Sequence, residues 1–328
     1  MFKRLNKKRS DFSEFEEESE LEIVTMADSS SNNVPILSNA ERKEVARRTT
    51  ISAIVIHESI REAGERELRR RSLSLAWSAL AAGLTMGFSL VVPGLLYAYL
   101  PDATWRPLVD NLGYSVGFLI VILGRQQLFT ENTLTVILPL LAHPNKATFL
   151  RVLRLWGIVL GANMVGAFLF ATIIAHSDVF PPAIQSAFAV IAEHSLRGDF
   201  WLTVVRGIFA GWLIALMVWV LPTVQSNKPH IIILITYIVS LGGFAHIIAG
   251  SIDVLYLVNI GAVSWGTFFF SFMIPTLFGN IIGGVSLVAA LNYAQVATEE
   301  QRGVNGQSMQ KASNQQPTFL GEEEENRE

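Results

Sequence analysis

Six apolar stretches between about residue 73 and residue 291 constrain the fold of this chain more than any other feature. Each is close to the roughly 20 apolar residues that an α-helix needs to cross a bilayer. Lipid offers no hydrogen-bond partners, so a segment that crosses it must satisfy its own backbone as a helix. The sequence therefore predicts an all-α membrane protein with six spans, at 73–100, 112–141, 153–175, 200–221, 231–258 and 265–291.

The distribution of charge divides the chain into regions. Charged residues make up 16% of it, against about a quarter in soluble proteins, and they crowd into the two ends. We predict a disordered cytoplasmic tail over 1–40, an amphipathic cytoplasmic helix over 41–72, a six-span channel domain over 73–295 and a disordered cytoplasmic tail over 296–328. The helix over 41–72 could equally be a solvated lead-in to the first span.

Basic residues favour one side of the predicted spans, and cytoplasmic loops carry an excess of Lys and Arg. The other side holds only Arg106 and Arg197. We therefore expect both termini in the cytoplasm. The basic residues on the cytoplasmic side are Arg69, Arg70, Arg71, Lys146, Arg151 and Lys228.

The second and fifth spans are interrupted, at 124–127 and 242–251. Each is the middle span of its half, which predicts two inverted three-span repeats. The spacing agrees, because Thr130 precedes Asn163 by 33 positions and His246 precedes Asn280 by 34. We take Thr130 and His246 as equivalents. Nearby glycines (Gly161, Gly166, Gly279 and Gly283) are interpreted as sites of close helix packing.

Thr130 and His246 are the candidate functional pair. A broken helix leaves unpaired backbone N–H groups that favour an anion. The threonine hydroxyl can donate or accept, and a histidine can donate when neutral or carry a proton. The chemistry suited to this pair is passage of a small weak-acid anion or of its protonated form. An ionisable residue at membrane depth usually faces a cavity or pathway rather than lipid.

Three motifs resemble the formate/nitrite transporter family: 128–133 after Gly124, 243–246, and 275–284. The resemblance implies an aquaporin-like protomer assembled as a homopentamer in a bacterial inner membrane, with one pore per protomer. It implies conduction of small monovalent anions such as formate, nitrite or hydrosulfide. It also implies that the central Thr and His lie between two apolar constrictions.

Carried over by residue, the resemblance assigns the pathway to Thr130, His246, Tyr114, Leu128, Phe129, Val239, Asn163 and Asn280. Tyr114 is expected at an aromatic constriction on the cytoplasmic side, with Leu128 and Phe129 in the loop beside it. Val239 replaces the second constriction aromatic, which would widen that gate. The chain also departs from the family at three further sites: Ala245 replaces an acidic residue, Gly211 replaces an asparagine, and 125–127 replaces an acidic residue followed by small ones.

Other polar residues near the spans receive structural interpretations. Arg125 and Glu131 flank the first interruption, and either they pair with each other or Arg125 attracts anions. Arg206 and Asp253 are expected near span ends, where they snorkel or cap. The vestibule lysine of the family has no clear match in this chain, and the nearby candidates are Ser195, His194 and Arg197.

Several function classes are excluded or disfavoured. The chain has no cysteine, and its histidines form no H-x-x-H or H-E-x-x-H pair, so we expect no metal and no cofactor. The membrane core contains no nucleophile–base pair, paired carboxylates or phosphate loop that would suggest an enzyme. We also expect no nucleic acid as a partner. The expected partners are the small anion, protons, the lipid bilayer and other copies of the chain. Two alternatives are a channel for a neutral small solute and a membrane scaffold or sensor with a closed pore.

Overall fold

A computed structural model describes Ser38, residues 53–224 and residues 226–289. The predicted tail over 296–328 lies outside these residues, as does the tail over 1–40 apart from Ser38. Of the predicted cytoplasmic helix, the part described is helical from Ala53 to Arg69.

The described residues form thirteen α-helices and no strand. The helices are α1 (Ala53–Arg69), α2 (Ser72–Thr85), α3 (Phe88–Tyr99), α4 (Arg106–Gly113), α5 (Ser115–Leu123), α6 (Asn132–Thr135), α7 (Ile137–Ala142), α8 (Lys146–His176), α9 (Pro182–His194), α10 (Phe200–Val220), α11 (Lys228–Leu241), α12 (Ile247–Asn259) and α13 (Ile274–Ile282). A 3₁₀ turn (Leu221–Thr223) follows α10, and π-helical segments (Thr267–Met273 and Gly283–Ala289) flank α13.

These helices make six crossings, as predicted. Span 1 is α2 and α3, span 3 is α8, span 4 is α10 with its 3₁₀ turn, and span 6 is α13 with its π-helical flanks. Five helical segments are long and apolar enough to cross a membrane. Span 2 is divided into α4–α5, which is one of these five segments, and the shorter α6–α7, and span 5 is divided into the shorter α11 and α12. The all-α, six-span fold with broken second and fifth spans is thus confirmed.

The boundaries of spans 2 and 5 differ from those expected. Span 2 begins at Arg106 instead of residue 112, because Pro107 occupies the first turn of α4, where its fixed φ suits a helix start. The break in span 5 ends at His246, so Gly250 and Ser251 lie inside α12. Packing requires a glycine at position 250, since a Cβ on Gly250 would overlap the ring of Phe272.

The two repeats share one plan, and each begins with a helix that precedes its first span. In the first repeat α1 packs against α6 and α7, and span 1 packs against span 3. In the second repeat α9 packs against α12, and span 4 packs against span 6. Sequence reasoning did not identify α9, whose 13 residues are too few for a crossing.

The glycines of the repeat allow these spans to approach closely. A Cβ at Gly83 would overlap the carbonyl oxygen of Asn163, and a Cβ at Gly211 would overlap that of Asn280. Gly166, Gly279 and Gly283 likewise lie against the backbone of the facing span, as predicted. Gly161 does not, because a Cβ there would meet nothing within 4 Å.

We name the two ends of the molecule by their helices. The end with α1 is the α1 face, and the end with the loop over 100–105 and with α9 is the opposite face.

Arg154 of α8 fixes the end of α1, because its Nη2 donates to the carbonyls of Leu68 (3.0 Å) and Arg70 (3.1 Å). A cation at this position also complements the helix dipole.

Candidate functional site

The two breaks begin with the same backbone turn. Just past each helix end a residue has a positive φ, 51° at Arg125 and 62° at Gly243. An amide of each turn then bonds to the carbonyl five residues earlier, a pattern that closes a helix C-terminus. The bonds are Gln126 N to Val121 O (3.0 Å) and Phe244 N to Val239 O (2.9 Å).

A buried asparagine from the neighbouring continuous span then holds each break. Asn163 Oδ1 accepts from the Phe129 amide (3.0 Å), and its Nδ2 donates to the carbonyls of Ala79 (2.7 Å) and Gln127 (2.9 Å). Asn280 satisfies backbone groups of the second break in the same way, so both asparagines position the breaks. Its partners are Ile247 N (2.9 Å), Ala245 O (2.8 Å) and Gly207 O (2.9 Å).

This hydrogen bonding corrects the register inferred from the sequence. Leu128 lies between the two residues that Asn163 contacts, and His246 lies between the two break residues that Asn280 contacts. Leu128 is therefore the repeat equivalent of His246, and the equivalence assumed for Thr130 is wrong by two residues. Thr130 and His246 meet as unlike residues, which makes the centre asymmetric.

The structure brings Thr130 and His246 into contact. Thr130 Oγ1 lies 2.8 Å from His246 Nε2, and both side chains are buried. His246 Nδ1 accepts from the Ala249 amide at 3.2 Å. A ring nitrogen that accepts a bond carries no proton, so this pattern assigns the imidazole proton to Nε2, which donates to Thr130. The threonine hydroxyl has no other partner among the described residues, and its proton is available to a solute.

His246 takes this position because it is the N-cap of α12. Its backbone is extended, with φ −104° and ψ 126°, and its side chain caps the amide of the third helical residue. An N-cap side chain usually does this with an oxygen. Here Nδ1 of His246 takes the place of that oxygen. The hydrogen bond from the Ala249 amide to Nδ1 therefore sets both the orientation of the imidazole ring and its tautomer.

Two aromatic rings extend from His246 towards the opposite face. The Phe118 ring meets the imidazole edge-on at 4.9 Å between centroids, and the Tyr114 ring lies 5.2 Å from that of Phe118. Sequence reasoning did not identify Phe118, although it lies one helical turn after Tyr114 and therefore shares its face.

Tyr114 lies on the side of the breaks away from the α1 face. Its carbonyl accepts from Ser89 Oγ at 2.8 Å, whereas Gln127 of the first break bonds to Ser78 and Asn163, which holds that break, bonds to Ala79. Ten residues of span 1 separate these levels, about 15 Å of helix towards the opposite face. The α1 face and Tyr114 were both expected on the cytoplasmic side, and because they lie on different sides of the breaks these two expectations exclude each other.

The three apolar candidates beside the breaks are closed off from solvent in the single chain. Leu128, Phe129 and Val239 are 0%, 1% and 0% exposed. The Phe129 ring packs against Trp156 of span 3, at 5.8 Å between centroids. Their role as constriction residues stays a prediction.

The prediction for Asp253 is wrong, and one of the two alternatives for Arg125 is not observed. Asp253 lies in the middle of α12, buried, where its Oδ2 accepts from Ser195 Oγ at 2.7 Å. Arg125 and Glu131 form no ion pair within the described residues, and Glu131 Oε1 is buried without a partner. The described residues also contain no group of three or more potential His, Cys, Asp or Glu metal ligands.

Inverted repeats that each contribute a broken helix to a polar centre define a class of membrane channels and transporters. A model of the formate/nitrite transporter family matches residues 54–294. The chain belongs to the formate/nitrite transporter family. Its relatives are transporters and channels, so it is a membrane transport protein and not an enzyme, and its membership supports transport of small anions.

Individual relatives agree with this assignment. The chain is 39% identical over 280 residues to the inner membrane protein YfdC of Escherichia coli K12, covering 83% of this chain and 90% of YfdC. It is 27% identical over 221 residues to the formate channel BtFdhC of Bacillus thuringiensis, covering 65% and 82% of the two chains. Its fold resembles a solved pentameric formate channel with formate bound, with a TM-score of 0.59, 20% identity and coverage of 69% and 98%.

Proposed function

We propose that this protein conducts small monovalent weak-acid anions of the formate, nitrite and hydrosulfide class, together with a proton, past the Thr130–His246 pair. The observation that carries the proposal is the buried hydrogen bond of 2.8 Å between Thr130 Oγ1 and His246 Nε2. It joins the two breaks at the centre of the repeats. It also leaves one hydroxyl proton to direct at a solute.

The energetics of the pathway favour passage with a proton. Phe118, Leu128 and Val239 surround the breaks with apolar side chains and are fully buried. A bare anion there would lose most of its hydration at a cost of many kcal/mol, because charge is poorly tolerated in apolar surroundings. Taking up a proton removes most of this cost. The Thr130 hydroxyl then supplies a hydrogen bond to the neutral acid.

Relatives also support a proposed assembly and location. The similar solved channel is pentameric, and YfdC is an inner membrane protein. We accordingly assign this chain to a homopentamer in a bacterial inner membrane, with one pore per protomer. Both termini are assigned to the cytoplasm on the basis of the basic loops.

Uptake by proteoliposomes tests this function. The purified protein is reconstituted, and entry of formate, nitrite, hydrosulfide and acetate is followed with the internal pH across a range of external pH. We expect anion uptake accompanied by proton uptake and faster at low external pH. Flux of an uncharged solute that does not change with pH would support the neutral-solute channel instead. An absence of flux for all four anions would contradict the proposal.

Two substitutions of His246 separate folding from transport. Asn is a good N-cap, so His246→Asn keeps an acceptor for the Ala249 amide while it removes the ring. His246→Ala removes both. We expect both variants to lose transport, and His246→Ala to lose about 1 kcal/mol more stability. Full proton-coupled flux in assembled His246→Asn would refute a role for the ring.

A further inference from the structure

A buried carboxyl lies two helical turns beyond His246. Residues 247–257 of α12 are all buried, so protein surrounds this half-helix on every side. Asp253 is the one acidic residue among them. Its Oδ2 accepts from Ser195 Oγ, and no cation pairs with it among the described residues. A buried carboxylate without a cationic partner is costly, so such groups are found where a proton or ligand is exchanged.

Asp253 keeps a small exposed fraction in an otherwise closed half-helix. It is 8% exposed, whereas its neighbours Ile252 and Val254 are 0% exposed and no other apolar residue of 247–257 exceeds 2%. Residues seven apart lie within about 20° of each other around a helix, so Asp253 lies on the face of α12 that carries His246.

The two aromatic rings lie between His246 and the opposite face. Phe118 lies against the imidazole of His246, and Tyr114 lies one helical turn nearer the opposite face. Asp253 lies on the same side of the breaks, because its hydrogen-bond partner Ser195 directly follows α9 of the opposite face.

We propose that these groups enclose a chamber on the route of the anion and that Asp253 is the proton donor to the anion there, with Ser195 as its positioning residue. This inference rests on the proposed function. The Ser195 hydroxyl donates to Oδ2 of Asp253, so Oδ1 is the oxygen that carries the exchangeable proton. As an anion arrives, the Oδ1–H bond breaks and an O–H or S–H bond to the anion forms, which leaves a neutral acid and the Asp253 carboxylate. Water from the opposite face then returns a proton to Oδ1.

His246 cannot take this role in the bonded arrangement. Its Nδ1 accepts from Ala249, and its only ring proton is donated to Thr130. If a neutral imidazole gave up that proton, an imidazolate anion would be left in an apolar site. To act as an imidazolium, the ring would first have to lose the cap of α12. The carboxyl two turns away needs neither change.

The elements around α12 carry other titratable groups. None forms an ion pair with Asp253 within the described ranges. They are Glu193 and His194 of α9 with Arg197 just after it, Tyr97 and Tyr99 of α3, Lys146, Arg151, Arg154 and His176 of α8, and Tyr114 before α5; the π-helical segment Thr267–Met273 and α13 carry none.

The test compares Asp253→Asn with Asp253→Glu and Asp178→Asn in proteoliposomes that carry formate. Asn has the shape of Asp and keeps an acceptor for Ser195 but cannot exchange a proton, whereas Glu can. Asp178 is an exposed carboxyl in the loop before α9. We expect Asp253→Asn to lower formate flux at least about tenfold, as the loss of a general acid does, and to flatten its dependence on external pH. Asp253→Glu should recover part of both, and Asp178→Asn should match the unchanged protein.

Assembly of each variant is checked by size-exclusion chromatography. Wild-type flux and pH dependence in Asp253→Asn would overturn the inference. Equal loss in assembled Asp253→Asn and Asp253→Glu would also overturn it, because packing would then account for the effect. If the unchanged protein carries no anion at any pH, the proposed function itself fails, which is a separate result.

Discussion

At the scale of single residues, the Thr130 hydroxyl gives the sharpest prediction. Thr130→Val keeps the shape of the side chain but leaves the His246 Nε2–H buried without an acceptor. An unsatisfied buried donor costs about 1–3 kcal/mol, and the solute loses its hydrogen bond. We expect a less stable protein with little anion flux. The measurements are the unfolding midpoint in detergent and uptake by proteoliposomes.

Thr130→Ser is the matched control, because it keeps the hydroxyl and removes one methyl group. It should retain most of the flux of the unchanged protein. If Thr130→Val and Thr130→Ser transport equally well, the hydroxyl does not contact the solute, and Thr130 contributes only to packing.

The pair itself was predictable from the sequence, because polar residues next to helix breaks stand out in an apolar span. Phe118 was not, since a phenylalanine in a membrane helix looks like any other apolar residue until its neighbours are known. The carboxyl of Asp253 was visible but was misplaced. Its place in the helix depends on where the break finishes, and the glycine inside α12, Gly250, made the break look longer than it is.

At the scale of elements, the asparagines of spans 3 and 6 hold the breaks open. Asn163→Leu would leave the Phe129 amide and the carbonyls of Gln127 and Ala79 without this partner. Since each unsatisfied buried group costs about 1–3 kcal/mol, we expect a loss of at least about 3 kcal/mol. Asn280→Leu should behave alike in the other repeat. Thermal unfolding in detergent measures both.

Asn259→Ala is the control for these variants. Among the residues that the structure describes, its Nδ2 donates only to the carbonyl of Leu255 in its own helix, so its loss should cost under about 1 kcal/mol. If Asn163→Leu were as mild as this control, the three bonds would not be what holds the break.

Break positions were predicted to within a few residues, since glycines and polar residues mark them in both spans. The repeat register was harder to read. Sequence spacing fits Thr130 with His246 as well as the observed Leu128 with His246, because Asn163 follows Thr130 and Leu128 by 33 and 35 positions and Asn280 follows His246 by 34. Backbone hydrogen bonds to Asn163 and Asn280 decide between them, and no side-chain pattern records those bonds. Helix α9 was missed for a different reason, because it is short and does not cross the membrane.

At the scale of the whole molecule, the six-span plan was the most predictable level. The bilayer imposes the length of each span and the absence of charge within it, and both features can be read from the amino-acid sequence. The asymmetry between the repeats was not predictable. One break supplies a histidine at the position where the other supplies Leu128, so a two-fold scaffold carries a centre with one polar pair.

The scaffold should nevertheless respond symmetrically to substitutions between its spans. A Cβ added at Gly83 or at Gly211 would overlap the carbonyl oxygen of the asparagine in the facing span. Backbone cannot move aside cheaply, and overpacking costs about 1–3 kcal/mol. We therefore expect Gly83→Ala and Gly211→Ala to lower the unfolding midpoint by similar amounts. Gly161→Ala, where a Cβ meets nothing within 4 Å, should be neutral or stabilising by up to about 1 kcal/mol. A large loss in one repeat with none in the other would mean that the halves are not held together by equivalent contacts.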